Sequence, residues 1–595
     1  MKEFFKYVGA TIVGIIALGI ICIVMSAISL IGMASSMQGS VSVPDDAVLV
    51  IKLEGAIVER SKDNPFATIL GNSQFEEQGL DDILCAIKNA KENDKVKGIY
   101  LEAGAFGGST PAGLQEIRQA LTDFKKTTGK PIVAYGEQYT QGAYYLCSVA
   151  DSIIINPKGT LDWRGLAMQS VYFKDLLDKC GVAMQIFKVG TYKSAVEPYI
   201  LNEMSDANRE QITTFSGEIW SQMLKEVGAS RHISATKLNT LADSCMTFQT
   251  AETYKKEKLV DKTAYTDEVG QIIANAIGVE SKGDYSPISV KDLASVTQNE
   301  PKGTSGNILA VYYATGEIVD ESAGSYSQED QIVGKDVVAD LKELADDDNV
   351  KAVVLRVNSP GGSAYASEQI WHQVMNIKAK KPIVVSMGGY AASGGYYISC
   401  AADWIVAEPT TLTGSIGIFG MFPTAEELLD NKLGIHLHTV KTNKYADFGD
   451  ISRSMNEGER QLLQGYINRG YDLFTKRCAD GRKMKQDDIK KIAEGRVWTG
   501  EHAKQIGLVD QLGNLEAAIS KAEKLGGQEE YTVATYPGKT DMLKNLFNTF
   551  STDSYAEARL KETLGEYYGL YTNVRSIGSQ SHIQARVPAY FLFNL

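Results

Sequence analysis

The chain has 595 residues, 44% of them hydrophobic and 22% charged, with a net charge of −13 and a pI near 5.2. That length exceeds what one hydrophobic core serves, so at least two domains are required. The acidic balance excludes nucleic acid as the main partner, which needs a basic face. The 7 cysteines are scattered without a C-x-x-C pair, which excludes a zinc site and a disulfide framework.

The first predicted element is a membrane anchor. From Val8 to Met33 no residue is charged, and the next charged side chain is Asp45. About 20 apolar residues span a bilayer, whereas a cleaved signal peptide has an apolar core of roughly 7–15. Lys2 and Lys6 precede the segment, so the positive-inside rule keeps the amino terminus in the cytoplasm. Residues 8–33 therefore read as an uncleaved anchor, with the rest of the chain on the far side.

Beyond it the chain repeats itself. Val48–Leu53 predicts the strand that opens a first copy, and Ile308–Tyr313 opens a second. Helical periodicity follows at Leu80–Lys91 and Ala112–Lys126, and again at Val337–Asp346 and Ala366–Lys378. KPIVAYGEQYTQGAYYLCSVAD at residues 130–151 returns as KPIVVSMGGYAASGGYYISCAAD at 381–403. Both copies close alike, on Leu259-Val260-Asp261 and Leu508-Val509-Asp510. Short apolar strands alternating with helices predict an α/β fold with mainly parallel sheets. The expected domains are residues 47–290 and 307–537, joined by a linker over Lys291–Asn307. The tail, residues 538–595, has no counterpart in the first copy and no assignable role.

The copies diverge where chemistry is expected. Their register sets Ser415, in Thr413-Gly414-Ser415-Ile416-Gly417, against Trp163. Glycine neighbours leave the Ser415 hydroxyl accessible, as a nucleophile requires. Asn358-Ser359-Pro360-Gly361-Gly362-Ser363 follows a strand, and its glycines let successive N–H groups point at one place, where a phosphate or an oxyanion is held equally well. A serine also needs a base. His436 and His438 alternate on a predicted strand, Ile435–Val440, without a nearby carboxylate, and read as surface residues. A lysine serves instead when burial lowers its pKa. Lys193 and Lys444 both qualify, and the residues alone leave that choice open.

GTYKSAVEPY in the first copy, with NSPGGS, YAASGGYY, TGSIGIFG and GRVWTGEHAKQIGLVD in the second, resembles the long, tandem-repeat form of the bacterial signal peptide peptidase A (protease IV) family. The resemblance covers the anchor and both copies. It implies tandem Clp/crotonase-like domains and a Ser-Lys peptidase, with Ser415 as nucleophile, Lys193 as general base, and Gly361 and Gly362 as oxyanion donors. It further implies a homo-oligomer closed as a tetrameric ring, hydrophobic peptides such as spent signal peptides as substrates, and no cofactor or metal. The location implied is a bacterial inner membrane with the catalytic domains outside the cytoplasm. Ser393 matches the serine position of Clp-type relatives, but the histidine those enzymes need is missing around position 418, so Ser393 reads as structural. Glu197, four residues after the lysine, must point away from it, since a facing carboxylate would hold the proton. A crotonase-type acyl-CoA enzyme and an inactive membrane scaffold are the alternative readings.

Overall fold

The computed structural model describes residues 42–61, 77–281, 283–298, 306–321, 330–538 and 583–587. The expected anchor lies outside these residues, and no helix among them is long and apolar enough to cross a membrane.

Each copy folds around its own sheet. In the first, Gln78–Gly79, Ala47–Val58, Val96–Gly108, Ile132–Tyr139, Ser152–Leu161 and Lys262–Thr263 lie side by side, with Ser286–Ser289 added against Ala47–Val58. Every pair in this sheet is parallel. Parallel neighbours need crossover connections, and the helices Leu80–Glu92, Pro111–Thr128 and Gln141–Cys147 supply them. The second copy repeats the plan with Leu412–Gly414, Ile383–Ala392, Val350–Ser359, Ile308–Thr315 and Thr532–Tyr536. Covered on both faces, such strands read as nearly unbroken apolar runs. The duplication extends to single bonds: the Tyr144 hydroxyl donates to the Leu259 carbonyl at 2.9 Å, and that of Tyr396 to Leu508 at 3.0 Å.

A third sheet joins the copies. Its order is Gln331–Val333, Glu317–Val319, Gly361–Ser363, Ile583–Arg586, Phe419–Thr424 and Ala183–Lys188. Strand Ala183–Lys188 of the first copy thus runs antiparallel to Phe419–Thr424 of the second, with Lys188 opposite Phe419.

Two expectations are corrected. The predicted linker begins with a helix, Val290–Gln298, because Leu293 and Ala294 bury against the first core and Ser289 accepts the Asp292 N–H as a cap. Asn89 ties this helix down by donating to the Leu293 carbonyl at 2.7 Å. Residues 435–440 form no strand; they are exposed throughout, and no neighbouring strand takes up their backbone groups.

The copies also meet along a buried polar seam. Arg356 of the second copy donates to Glu59 and, at 2.6 Å, to Glu116 of the first, and all three side chains are almost fully enclosed. Gln119 bridges to Glu408 at 2.7 Å and Thr410 to Gln115 at 2.8 Å. Burial pushes the Glu408 carboxyl well above the usual carboxylate range, and the neighbouring Glu116 carboxyl pushes it the same way. Removing one member of a buried ion pair strands the other charges and costs about 3–5 kcal/mol. Arg356→Met is therefore expected to lower the denaturation midpoint sharply, and an unchanged midpoint would show that the seam does not hold the copies together.

Candidate active site

Lys193 follows the strand that crosses between copies. Its loop is clamped by the Tyr192 N–H, which donates to the Glu494 carbonyl at 2.9 Å, and by Gln211, which donates to the Tyr192 carbonyl at 3.1 Å. The side chain is 1% exposed and enters the second copy. There its Nζ donates to Ser393 Oγ at 2.6 Å, to Ser415 Oγ at 3.1 Å and to the Ser415 carbonyl at 3.1 Å. Residues 222 positions apart in sequence meet because the antiparallel pairing of Lys188 with Phe419 sets the lysine loop beside the serine loops. Burial pushes the Lys193 amine well below its ordinary pKa, and the positive Arg586 guanidinium pushes it the same way. The Glu197 carboxylate takes hydrogen bonds from Ser205 and Asn208, which directs it away from the amine.

Both serines are buried and sit at positive φ, +55° for Ser393 and +47° for Ser415. A non-glycine residue in that region carries strain of about 1–3 kcal/mol and must be held by its surroundings. The Ser393 N–H is anchored on the Gly414 carbonyl at 2.8 Å, and that of Ser415 on Arg496 at 2.6 Å. Ser393 stands at the corner where strand Ile383–Ala392 turns into helix Gly394–Ser399.

Gly361 and Gly362 are not an open turn. They form a short strand whose edge is covered by Ile583–Arg586, with Gly361 opposite Arg586 and Gly362 opposite Ala585. The Gly361 N–H donates to Ser359 Oγ at 3.1 Å. Gly361 has φ +101°, and a Cβ there would overlap the Ala585 carbonyl oxygen and approach the Gly394 nitrogen. The Ala585 carbonyl is thus lodged between Gly361 and Gly394, beside Ser393.

The matching place in the first copy is filled. Trp163 is fully buried, donates its indole N–H to the Leu238 carbonyl at 2.9 Å, and packs on Tyr144 and Trp220. Gln141, the counterpart of Ser393, is spent on loop 164–165: its amide nitrogen donates to the Gly165 carbonyl, and its carbonyl accepts from the Arg164 and Gly165 N–H groups.

Lys444 lies away from this cluster, exposed over the Tyr445 ring. His372, His436 and His438 are exposed, and His502 is hydrogen-bonded to Glu218 at 3.1 Å. Sequence reasoning missed the contact of Ser393 with the lysine, and it missed the tail strand. The second had a faint signal, the alternation Ile583-Gln584-Ala585-Arg586-Val587, which has the period of a strand.

Known proteins agree with this architecture. The model of peptidase family S49 matches residues 124–280 and 376–529, one segment in each copy, and that of Clp protease matches 318–407. "Protease 4" of Salmonella typhi is 39% identical over 521 residues, covering 84% of this chain and 82% of the relative. "Protease 4" of Haemophilus influenzae is 33% identical over 576 residues, covering 94% and 92%. The chloroplastic "Serine protease SPPA" of Arabidopsis thaliana is 28% identical over 480 residues, covering 80% and 69%. On these matches the chain belongs to peptidase family S49 and is a serine peptidase.

Proposed function

We propose that the protein is a membrane-anchored endopeptidase with a Ser-Lys dyad split between its two copies, in which Lys193 is the base and Ser393 the nucleophile. The observation that carries this reading is the 2.6 Å contact from Lys193 Nζ to Ser393 Oγ, the shortest the amine makes. A neutral amine has two N–H groups and one lone pair. The Ser415 carbonyl can only accept, so one N–H goes to it, and the second suits the Ser415 hydroxyl. The lone pair is then left for Ser393, whose hydroxyl turns from the Gly417 carbonyl, 3.3 Å away, to give its proton to the amine. Ser415, expected as nucleophile from the sequence, becomes the residue that orients the amine.

In the first step Lys193 takes the Ser393 proton while Oγ bonds to the substrate carbonyl carbon. The negative oxygen develops where the Ala585 carbonyl now lies, beside the Gly394 N–H, which we take as an oxyanion donor. Collapse breaks the C–N bond, and the Lys193 ammonium gives its proton to the departing amine. Water, deprotonated by the same lysine, then attacks the acyl carbon, and collapse breaks the ester bond as the Lys193 ammonium returns the proton to Ser393 Oγ. The roles expected for Gly361 and Gly362 narrow to shaping the groove: their strand pairs with the peptide, and their missing side chains leave room for its carbonyl.

The uncharged segment 8–33 supports anchoring with the catalytic domains outside the cytoplasm of a bacterium, where hydrophobic fragments such as spent signal peptides are the substrates we favour. A homo-oligomeric ring remains our proposal for the assembly, checked by light scattering on the detergent-solubilised chain. The deciding experiment for the chemistry is labelling with an active-site-directed serine reagent, followed by mapping of the modified residue. Modification at Ser393 is expected; modification at Ser415 would restore the assignment made from the sequence. Because the tail strand occupies the groove, a chain lacking residues 583–595 is expected to show a lower KM for short peptides. A KM unchanged by the truncation would mean that the tail does not compete.

A further inference from the structure

The tail strand shows how a peptide lies in this groove, and one of its side chains is recognised. Arg586 is opposite Gly361, and the next strand outward carries Glu317 beside Ile318, which is opposite Gly362. The intervening strand is Gly-Gly, so no side chain blocks the way across it. The Arg586 arm crosses there and its Nη1 donates to Glu317 Oε1 at 3.1 Å, with the two side chains only 11% and 28% exposed. Asp320 is engaged by the Ser363 hydroxyl, and Glu317 is the carboxylate that meets the arginine. The residue before Arg586 is Ala585, whose carbonyl is the one lodged between Gly361 and Gly394.

We propose that Glu317 is a specificity-determining residue that selects peptides carrying a basic residue immediately after the residue whose carbonyl is attacked, with Ala585-Arg586 as the example built into the chain. This rests on the reading that Ser393 attacks a carbonyl held between Gly361 and Gly394. The basic side chain has a second consequence: it brings positive charge toward Lys193 and favours the neutral amine that the reaction needs. Glu317 thus recognises the group that also helps the base.

The test uses the full-length protein and two peptides, Ile-Gln-Ala-Arg-Val and Ile-Gln-Ala-Gln-Val, extended equally at both ends, with cleavage sites read by mass spectrometry. A charge-assisted hydrogen bond at a largely enclosed site corresponds to roughly tenfold or more. Wild type is therefore expected to favour the arginine peptide by roughly that factor in kcat/KM, cutting after the alanine. Glu317→Gln should abolish the preference, and Glu317→Arg should turn it toward a peptide with glutamate at that position. The ratio between peptides is read rather than either rate, because altering Glu317 also loosens the chain's own tail. Equal hydrolysis of the two peptides by wild type, or a preference that survives in Glu317→Gln, overturns the proposal while leaving Ser393 as nucleophile. Serine labelling that maps away from Ser393 overturns the catalytic reading and this inference together.

Discussion

Ser393→Ala is expected to abolish peptide hydrolysis while the protein stays folded, with kcat lower by roughly ten-thousandfold or more. Loss of the oxygen that forms the acyl bond leaves only the binding groove and the oxyanion donor. Ser415→Ala is expected to cost much less, about ten- to a hundredfold, because it removes one hydrogen bond that aims the Lys193 amine and leaves the carbonyl contact of residue 415 in place. The two variants share the same buried pocket, so comparing them under one set of conditions isolates chemistry from stability. Circular dichroism and the denaturation midpoint check that both remain folded. A dead Ser415→Ala beside an active Ser393→Ala would reverse the assignment.

The second large effect concerns the base. Lys193 must be neutral to accept a proton, and burial together with Arg586 lowers its folded-state pKa well below the ordinary lysine value. Below the lowered pKa the amine is an ammonium and cannot act; as pH rises through it, the neutral form accumulates and kcat/KM climbs. The rising limb in kcat/KM reports the free enzyme, and it should disappear in Lys193→Ala together with roughly a hundred- to ten-thousandfold of the rate. Arg586→Gln removes the smaller of the two influences, so the limb is expected to move to higher pH. A limb unchanged in Lys193→Ala, or one that Arg586→Gln moves to lower pH, would assign the titration to another group.

These predictions draw on different levels of the molecule. The duplication was legible from the sequence because two copies of one fold keep the same apolar runs, the same Lys-Pro-Ile-Val and Tyr-Tyr segments and the same closing Leu-Val-Asp. The strands and helices were legible for the same reason: apolar spacing is a local property, and burial on both faces of a parallel sheet leaves an unmistakable run. The lysine was visible as a candidate, and so were the serines, each set among small residues. The helix at Val290–Gln298 was hidden because its polar composition resembles a linker, and only packing of Leu293 and Ala294 on the first core makes it a helix.

In our proposal the choice between the two serines rests on the tertiary structure. Sequence comparison of the copies favoured Ser415 because tryptophan replaces it, yet the same comparison sets Gln141 against Ser393, an exchange that removes a hydroxyl just as surely. What separates them is the distance of each hydroxyl from one amine, and that distance is set by the antiparallel register of Ala183–Lys188 on Phe419–Thr424 together with the buried seam around Arg356. Both are contacts between segments far apart in the chain. The tail strand is the same kind of fact. The alternation Ile583-Gln584-Ala585-Arg586 permits a strand, but only the free edges of Gly361–Ser363 and Phe419–Gly420 decide where it pairs and what Arg586 meets. Local pattern determines which elements form, because backbone preference and burial are written into neighbouring residues; which side chains meet across elements is decided by register and docking, which no local pattern contains.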